Sequence, residues 1–366
     1  MSDTATPGLE QDARMGPPAT KKPTRDRENL SLDYRSDKPL PDWVREVIDT
    51  ALAIEVEDAK SAGALGFMAR ALVIATMPYK DPKTDAFVRT NGDFKLRIVA
   101  GYEGGIPYGI YPRLLMSWVT TEAVRTGSPV IELGDSLRVF LRDVLELRST
   151  GGGARGSGSR VTEQMKRLFG SLLTAQYTGS LDKRGFTLRN VLIADDLRLS
   201  EEDASEFAGI EGKGKGKGSE ALDDSLWLPQ PVHEAGQWRS QVRLSNNFHR
   251  ECVNNPVPID LRAYKALRGN PLAMDVYTWL SYRLSYTERR SRPIPWESLM
   301  MQFGSGFNTA DMGQAVRDFR KAFLRALKIV FVVYPQAKVE LNERGLVLLP
   351  SRPHVLPAGK GQKALF

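Results

Sequence analysis

This 366-residue chain has one cysteine and only three histidines. A lone Cys252 excludes an internal disulfide and a multi-cysteine metal site, and it fits a reducing cytoplasm. His233, His249 and His354 lie far apart, with no H-x-H or H-E-x-x-H pair among them. No metal site and no histidine-relayed nucleophile is therefore expected, and each histidine reads as a surface or loop residue. Long apolar runs are missing too, so no transmembrane span is expected, and the N-terminus "MSDTATPGLEQDARMGPP" has no apolar signal core. A catalytic set, a metal and a cofactor are all absent from the reading.

What remains is the composition of a soluble globular protein, 41% hydrophobic and 26% charged. Its length allows two ordinary domains plus tails. The net charge of +7, from 51 basic against 44 acidic residues, points to a polyanionic partner.

Residues 1–40 are polar and proline-punctuated, with a basic cluster "KKPTRDR", and are expected to be a disordered tail. From Pro41 the apolar spacing turns helical: Trp43, Val47, Ile48, Leu52 and Ile54, then a second stretch through Leu65, Met68, Leu72 and Val73. "AFVRTNGDFKLRI" reads as a hairpin turning at Asn91-Gly92.

Two blocks of similar order follow. In the first, "YPRLLMSWVTTEAVRTG" is a helix with Pro112 at its start and Gly127 past its end. Then come a strand "PVIEL", a helix "SLRVFLRDVLEL", a glycine-rich turn, a helix "RVTEQMKRLFGSLLTAQY", and a hairpin around "DKRG" returning as "FTLRNVLI". In the second, Asn270 caps and Pro271 opens "NPLAMDVYTWLSYRLSY". A strand "RPIPW", a helix "ESLMMQF" and a long helix from Asn308, with Asp311 three residues on, lead into "IVFVVYP" and a return strand "RGLVLLP". Helix, strand, helix, long helix, hairpin is the order of a winged helix-turn-helix. The expected fold is α+β: two tandem winged helix-turn-helix domains with disordered N- and C-terminal tails. The boundaries are 41–200, a linker over 201–245 holding the mobile "GKGKGKG", a second domain over 246–350, and a tail over 351–366.

A major groove admits one helix, and the third helix of each block is the candidate. In the second block Met312, Val316, Phe319 and Phe323 share one face, against Gln314, Arg317, Asp318, Lys321 and Arg325 on the other. In the first, Val161, Met165, Leu168 and Leu172 oppose Arg160, Gln164, Lys166 and Arg167. Either row alone reads as a solvated helix face; at the same place in a repeated motif, DNA contact is the better account. "GGGARG" at 151–156 matches G-x-G-x-x-G, but helical spacing precedes it where a nucleotide site needs a strand, so it reads as a turn. Cys252 reads as a packed small residue.

"NNPVPIDLRAYKALRGNPLAMDVYTWLSYRLSY", "RPIPWESLMMQFG" and "VVYPQAKVELNERGLVLLPSRPHV" together resemble the C-terminal region of the plasmid-encoded RepA replication initiators. "GIPYGIYPRLLMSWVTTEAVRTGSPVIELGDSL" and "EQMKRLF" resemble the same family, so the likeness covers roughly 60–355. It implies a cytoplasmic bacterial protein that binds repeated sites (iterons) in double-stranded plasmid origin DNA. Such a protein opens the origin and gathers host replication proteins such as the helicase, the host initiator and the sliding clamp. Monomer and homodimer stay open as the active form. A transcriptional repressor with the same DNA-binding domains is the alternative reading, and an origin-nicking enzyme a weaker one, since it would need paired histidines. The last residues, "QKALF", resemble a clamp-binding peptide, with Gln362 at a rim and Leu365 and Phe366 in an apolar pocket.

Overall fold

The computed structural model describes residues 42–133, 139–147, 156–178, 186–199, 240–304 and 311–355. The N-terminal tail, the "DKRG" turn, the Lys/Gly loop and the C-terminal hook all lie outside the described residues. The first helix, α1 (Asp42–Val56), follows the expected spacing but fully buries only Val47. Of the next stretch only the end, around Leu72 and Val73, is helical. Leu65–Ala69 forms β1, with Gly66 and Met68 buried and Leu65 and Phe67 half-buried, a period of two. Its partner is a distant strand, Leu65 opposite Asp260 and Ala69 opposite Pro256. A Cβ at Gly66 would overlap the Leu261 side chain of the helix that follows this partner strand.

After α2 (Arg70–Ile74), strands β2 (Ala86–Asn91) and β3 (Phe94–Ala100) form the expected hairpin. Its two central residues are Gly92 and Asp93, one step later than the sequence suggests, because Asn91 pairs with Phe94. Gly92 holds φ +58, and the Asn91 amide donates to the Ile74 carbonyl at 3.1 Å.

Helix α3 (Tyr111–Thr126) ends at Gly127 with φ +66, as Pro112 and Gly127 predict. Strand β4 (Val130–Glu132) follows. Within the region expected as a regular amphipathic helix, residues 140–144 form a π-helical turn, with Leu145 N donating to the Phe140 carbonyl at 3.1 Å. Phe140 is fixed edge-on against Trp118 of α3, ring centroids 4.6 Å apart.

Helix α4 (Ser157–Phe169) is shorter than the periodicity predicts. It stops at Gly170, where a Cβ would sit 2.9 Å from the Lys166 carbonyl and 3.1 Å from Tyr102. The chain then becomes β5 (Ser171–Thr178), so Leu172 belongs to a strand and not to the inner helix face. With β6 (Phe186–Leu192), it completes an antiparallel sheet in the order β2-β3-β5-β6. Strands β7 (Ala194–Arg198) and β8 (Gln241–Leu244) join β4 in a second sheet, with β8 in the centre.

Ser245 caps α5 (Asn246–Asn254), its hydroxyl accepting from Phe248 N. Next come β9 (Pro256–Asp260), the partner of β1, and α6 (Leu261–Ala266). Asn270 caps α7 (Pro271–Leu284) through the amides of Leu272 and Ala273, as its sequence announces. Then follow β10 (Ile294–Pro295), α8 (Trp296–Phe303), α9 (Met312–Val333), β11 (Val339–Asn342) and β12 (Gly345–Leu348), with sheet order β10-β12-β11. A Cβ at Gly345 would overlap the Ile294 carbonyl, so glycine lets β10 close on the hairpin.

Helix α9 differs from expectation at both ends. Asp311, not Asn308, is its cap, accepting from Gln314 N at 2.9 Å. Asn308 itself lies outside the described residues, and Met312 is 45% exposed and not inward. At the other end, "IVFVV" continues the helix where a strand was expected. The buried row Ala315, Phe319, Phe323, Ala326, Leu327, Val330 and Val333 explains why: the core contact keeps its helical period to the end and overrides β-branched propensity.

His354 lies in a loop, as expected, but is partly buried there. Its ring stacks at 4.6 Å on Tyr334 and meets Tyr277 edge-on, and its Nδ1 shares a hydrogen bond with the Tyr277 hydroxyl at 2.8 Å. Burial pushes its pKa down to about 4. The folded protein therefore refuses a proton that the unfolded chain takes up between about pH 6.5 and 4. Stability should fall as pH drops through that window, by up to about 3 kcal/mol from this residue. In urea titrations across that range, His354→Asn should lose this part of the acid sensitivity; an unchanged pH slope would contradict the assignment.

Candidate nucleic-acid interface

Helix α9 sorts its residues as a groove-reading helix would. Phe319 and Phe323 are fully buried and packed on each other at 5.6 Å, and Phe323 also meets Phe303 and Trp296. Opposite them Gln314, Arg317, Asp318, Lys321 and Arg325 are all exposed, as the sequence predicts. Gln314 Oε1 accepts from Arg317 Nε and Nη2 at 3.2 and 2.9 Å. This holds the guanidinium fork in one orientation, which suits a bidentate contact to guanine or phosphate. Beside the helix, β11 and β12 meet at a two-residue turn, with Asn342 Oδ1 accepting from Arg344 N at 2.8 Å and Gly345 N at 2.9 Å. That turn presents an exposed Arg344, which helix-face reasoning missed because it lies outside the helix.

Helix α4 is less open. Arg160 is exposed, and Lys166 is half-buried. Gln164, expected outward, is 4% exposed, because its Oε1 accepts from the backbone N of Tyr108 at 2.9 Å. Arg167 is half-buried and occupied: it donates to Glu163 at 2.9 Å, lies 3.4 Å from Asp81, and stacks over Tyr108 at 5.2 Å. Of the four residues read from α4, then, Arg160 and Lys166 keep the reach toward a ligand. Gly156 is the only described residue of "GGGARG". Cys252 is fully buried, and burial pushes its thiol up to about 12.

Between the blocks lies a buried charge network that no local pattern announces. Arg113 of α3 is 1% exposed and pairs with Asp275 of α7 through Nε at 2.9 Å and Nη2 at 2.7 Å. The same guanidinium donates to the carbonyls of Met77 at 2.7 Å, Pro78 at 3.1 Å and Gly109 at 2.6 Å. Burial raises the Asp275 carboxyl above its ordinary range, against the pull of Arg113 and Arg89. Five donated bonds satisfy the guanidinium without water, which is what makes its burial tolerable.

Among the described residues no group of three or more His, Cys, Asp or Glu side chains could hold a metal ion, and no helix is long and apolar enough to cross a membrane.

Among curated proteins nothing matches the chain. Two crystal structures of RctB align over much of it: SeMet derivatives of domains 2 and 3 at 11% identity, and domains 2–3 (RctB-155-483) at 9%. The first alignment covers 67% of this chain and 80% of that one, with TM-score 0.35; the second covers 75% and 93%, with TM-score 0.40. Scores this low carry no argument about fold or function. A family model, plasmid encoded RepA protein, matches residues 106–210 and 211–297, more than half of the chain. Together with the long collinear motifs, this places the chain in the plasmid-encoded RepA replication initiator family.

Proposed function

We propose that the protein initiates replication of its plasmid by binding repeated sites in the origin through two tandem winged helix-turn-helix modules. The carrying observation is the exposed row Gln314, Arg317, Lys321 and Arg325 on a helix whose opposite row is fully buried. The second block has the element order of a winged helix, with α9 as the reading helix and the β11–β12 hairpin, tipped by Arg344, as the wing. In the first block α4 takes the reading position and offers Arg160 and Lys166. No chemical step is assigned to the chain, so binding energy itself must deform the DNA. Bending a site costs on the order of 1–6 kcal/mol, which several bound copies can share. Host proteins are recruited in the same reading, the clamp through Gln362, Leu365 and Phe366.

Footprinting the full chain on its plasmid's replication region tests the proposal. Regularly spaced, repeated protections are expected, weakening with salt at a log–log slope of about −0.9 per phosphate neutralised. One isolated protection over a promoter would mean a repressor instead. In the same preparation, Leu365→Ala with Phe366→Ala must keep the footprint and lose retention of the host clamp; equal clamp retention would remove the tail from the mechanism.

A further inference from the structure

The segment Val73–Tyr79 leaves α2 with its carbonyls turned toward side chains from both blocks. Gln302 of α8 donates to Ile74 O at 3.0 Å, and Thr76 Oγ1 returns a bond to Gln302 O at 3.0 Å. Arg89 of β2 donates from Nε to Thr76 O at 3.3 Å and from Nη1 to Gly304 O at 3.0 Å. Gly304 is the C-cap of α8, at the start of the connection to α9, and a Cβ there would sit 2.7 Å from the Met300 carbonyl. One arginine of the first block's sheet thus grips the end of α8, whose Phe303 packs on Phe323 of the reading helix at 5.6 Å.

Filling space is a poor reason for this side chain. Arg89 is 5% exposed, its guanidinium lies over Phe87 at 4.6 Å, and its Nη2 has no partner among the described residues. An apolar residue at that place on β2 would be buried at far lower cost. What the arginine adds is direction: two bonds to two carbonyls in different elements fix a fork, where an apolar contact would tolerate sliding.

We infer that Arg89, with Thr76 and Gln302, is a positioning device that fixes α9 relative to the first block's sheet, and so fixes the spacing of the DNA segments the two modules read. The second half of that statement rests on the proposed DNA function; the first does not, and the test separates them. Spin labels at Lys95→Cys on β3 and Lys321→Cys on α9, both exposed, leave buried Cys252 unlabelled. In the full chain without DNA, the pulsed-EPR distance between them should be single and narrow. Adding Arg89→Met should broaden it at least about twofold, since a packed hydrophobic contact tolerates rearrangement that a hydrogen-bonded fork does not. Arg89→Lys, which keeps the charge and one bond, should fall between. Should Arg89→Met fail to fold, Thr76→Val removes one bond of the device with almost no change of volume and should still broaden the distribution. A width unchanged in the folded variants overturns the inference.

The DNA half is read on origin duplexes with two base pairs inserted within a footprinted site, which rotates one segment by about 70°. Wild type should lose about 100-fold in affinity, of the order of a double mismatch, and Arg89→Met less than about 10-fold. Equal penalties would overturn the spacing claim. If wild type binds no origin DNA, the proposed function fails while the distance measurement still decides the positioning.

Discussion

Asp275→Ala is expected to remove about 3–5 kcal/mol of folding stability, the usual consequence of stripping the partner from a buried charge. Against a total of roughly 5–15 kcal/mol for a folded domain, that is at least about a fifth of the whole. Arg113 would keep its bonds to Met77, Pro78 and Gly109, but its positive charge would face an empty place beside α7. The reverse change, Arg113→Met, should cost at least as much. It takes the guanidinium donor from the Met77 and Gly109 carbonyls, while Pro78 O keeps the Gly109 N–H at 3.1 Å and Asp275, already raised by burial, can escape its charge by taking a proton. Replacing both at once, Arg113→Met with Asp275→Leu, often restores stability where an ion pair stands alone. Here it should not, because the Met77 and Gly109 carbonyls still lose their Arg113 donor. Urea unfolding of the two single variants and the double decides the matter. A double variant as stable as wild type would show that the carbonyl bonds contribute nothing.

The same network shows what a linear reading of this chain can and cannot find. Asn270-Pro271 and Pro112…Gly127 were legible because caps act within a few residues. The hairpin at Gly92 was legible for the same reason, to within one position. Strand β1 was not, because Leu65–Ala69 becomes a strand only beside Pro256–Asp260, nearly two hundred residues on. The last turns of α9 were hidden by an intrinsic preference: Ile329 to Val333 favour a strand until a core is there to bury Val330 and Val333. Gln164 was misplaced because its outward position on a two-face wheel ignores Tyr108, whose amide needs an acceptor. Arg113 and Asp275 are 162 residues apart, and nothing local distinguishes them from surface charges. The candidate site on α9 was legible for the opposite reason. Its polar row and the buried pair Phe319 and Phe323 follow from helical geometry alone, though Met312 does not.

That contrast should separate folding from binding. Phe319→Ala and Phe323→Ala each delete a ring that is 0% exposed, and each should cost about 3–5 kcal/mol in stability. Arg317→Ala, Lys321→Ala and Arg325→Ala remove exposed side chains and should stay within about 0.5 kcal/mol of wild type. On origin DNA the order reverses. A lost bidentate base contact costs about 1–3 kcal/mol, so Arg317→Ala should weaken binding about fivefold or more and relax preference at one position. Lys321→Ala should weaken binding evenly across sequences and lower the salt slope by about one, the signature of a phosphate contact. Combined, the three exposed changes should lower origin affinity about a thousandfold at unchanged melting temperature, while the phenylalanine variants, studied below their melting points, bind with near-normal affinity. Thermal melts and fluorescence titrations at several salt concentrations read both quantities. If the basic set destabilises the protein as much as the aromatic set, the outward row of α9 is packed against protein in solution, and it is not the surface that meets DNA.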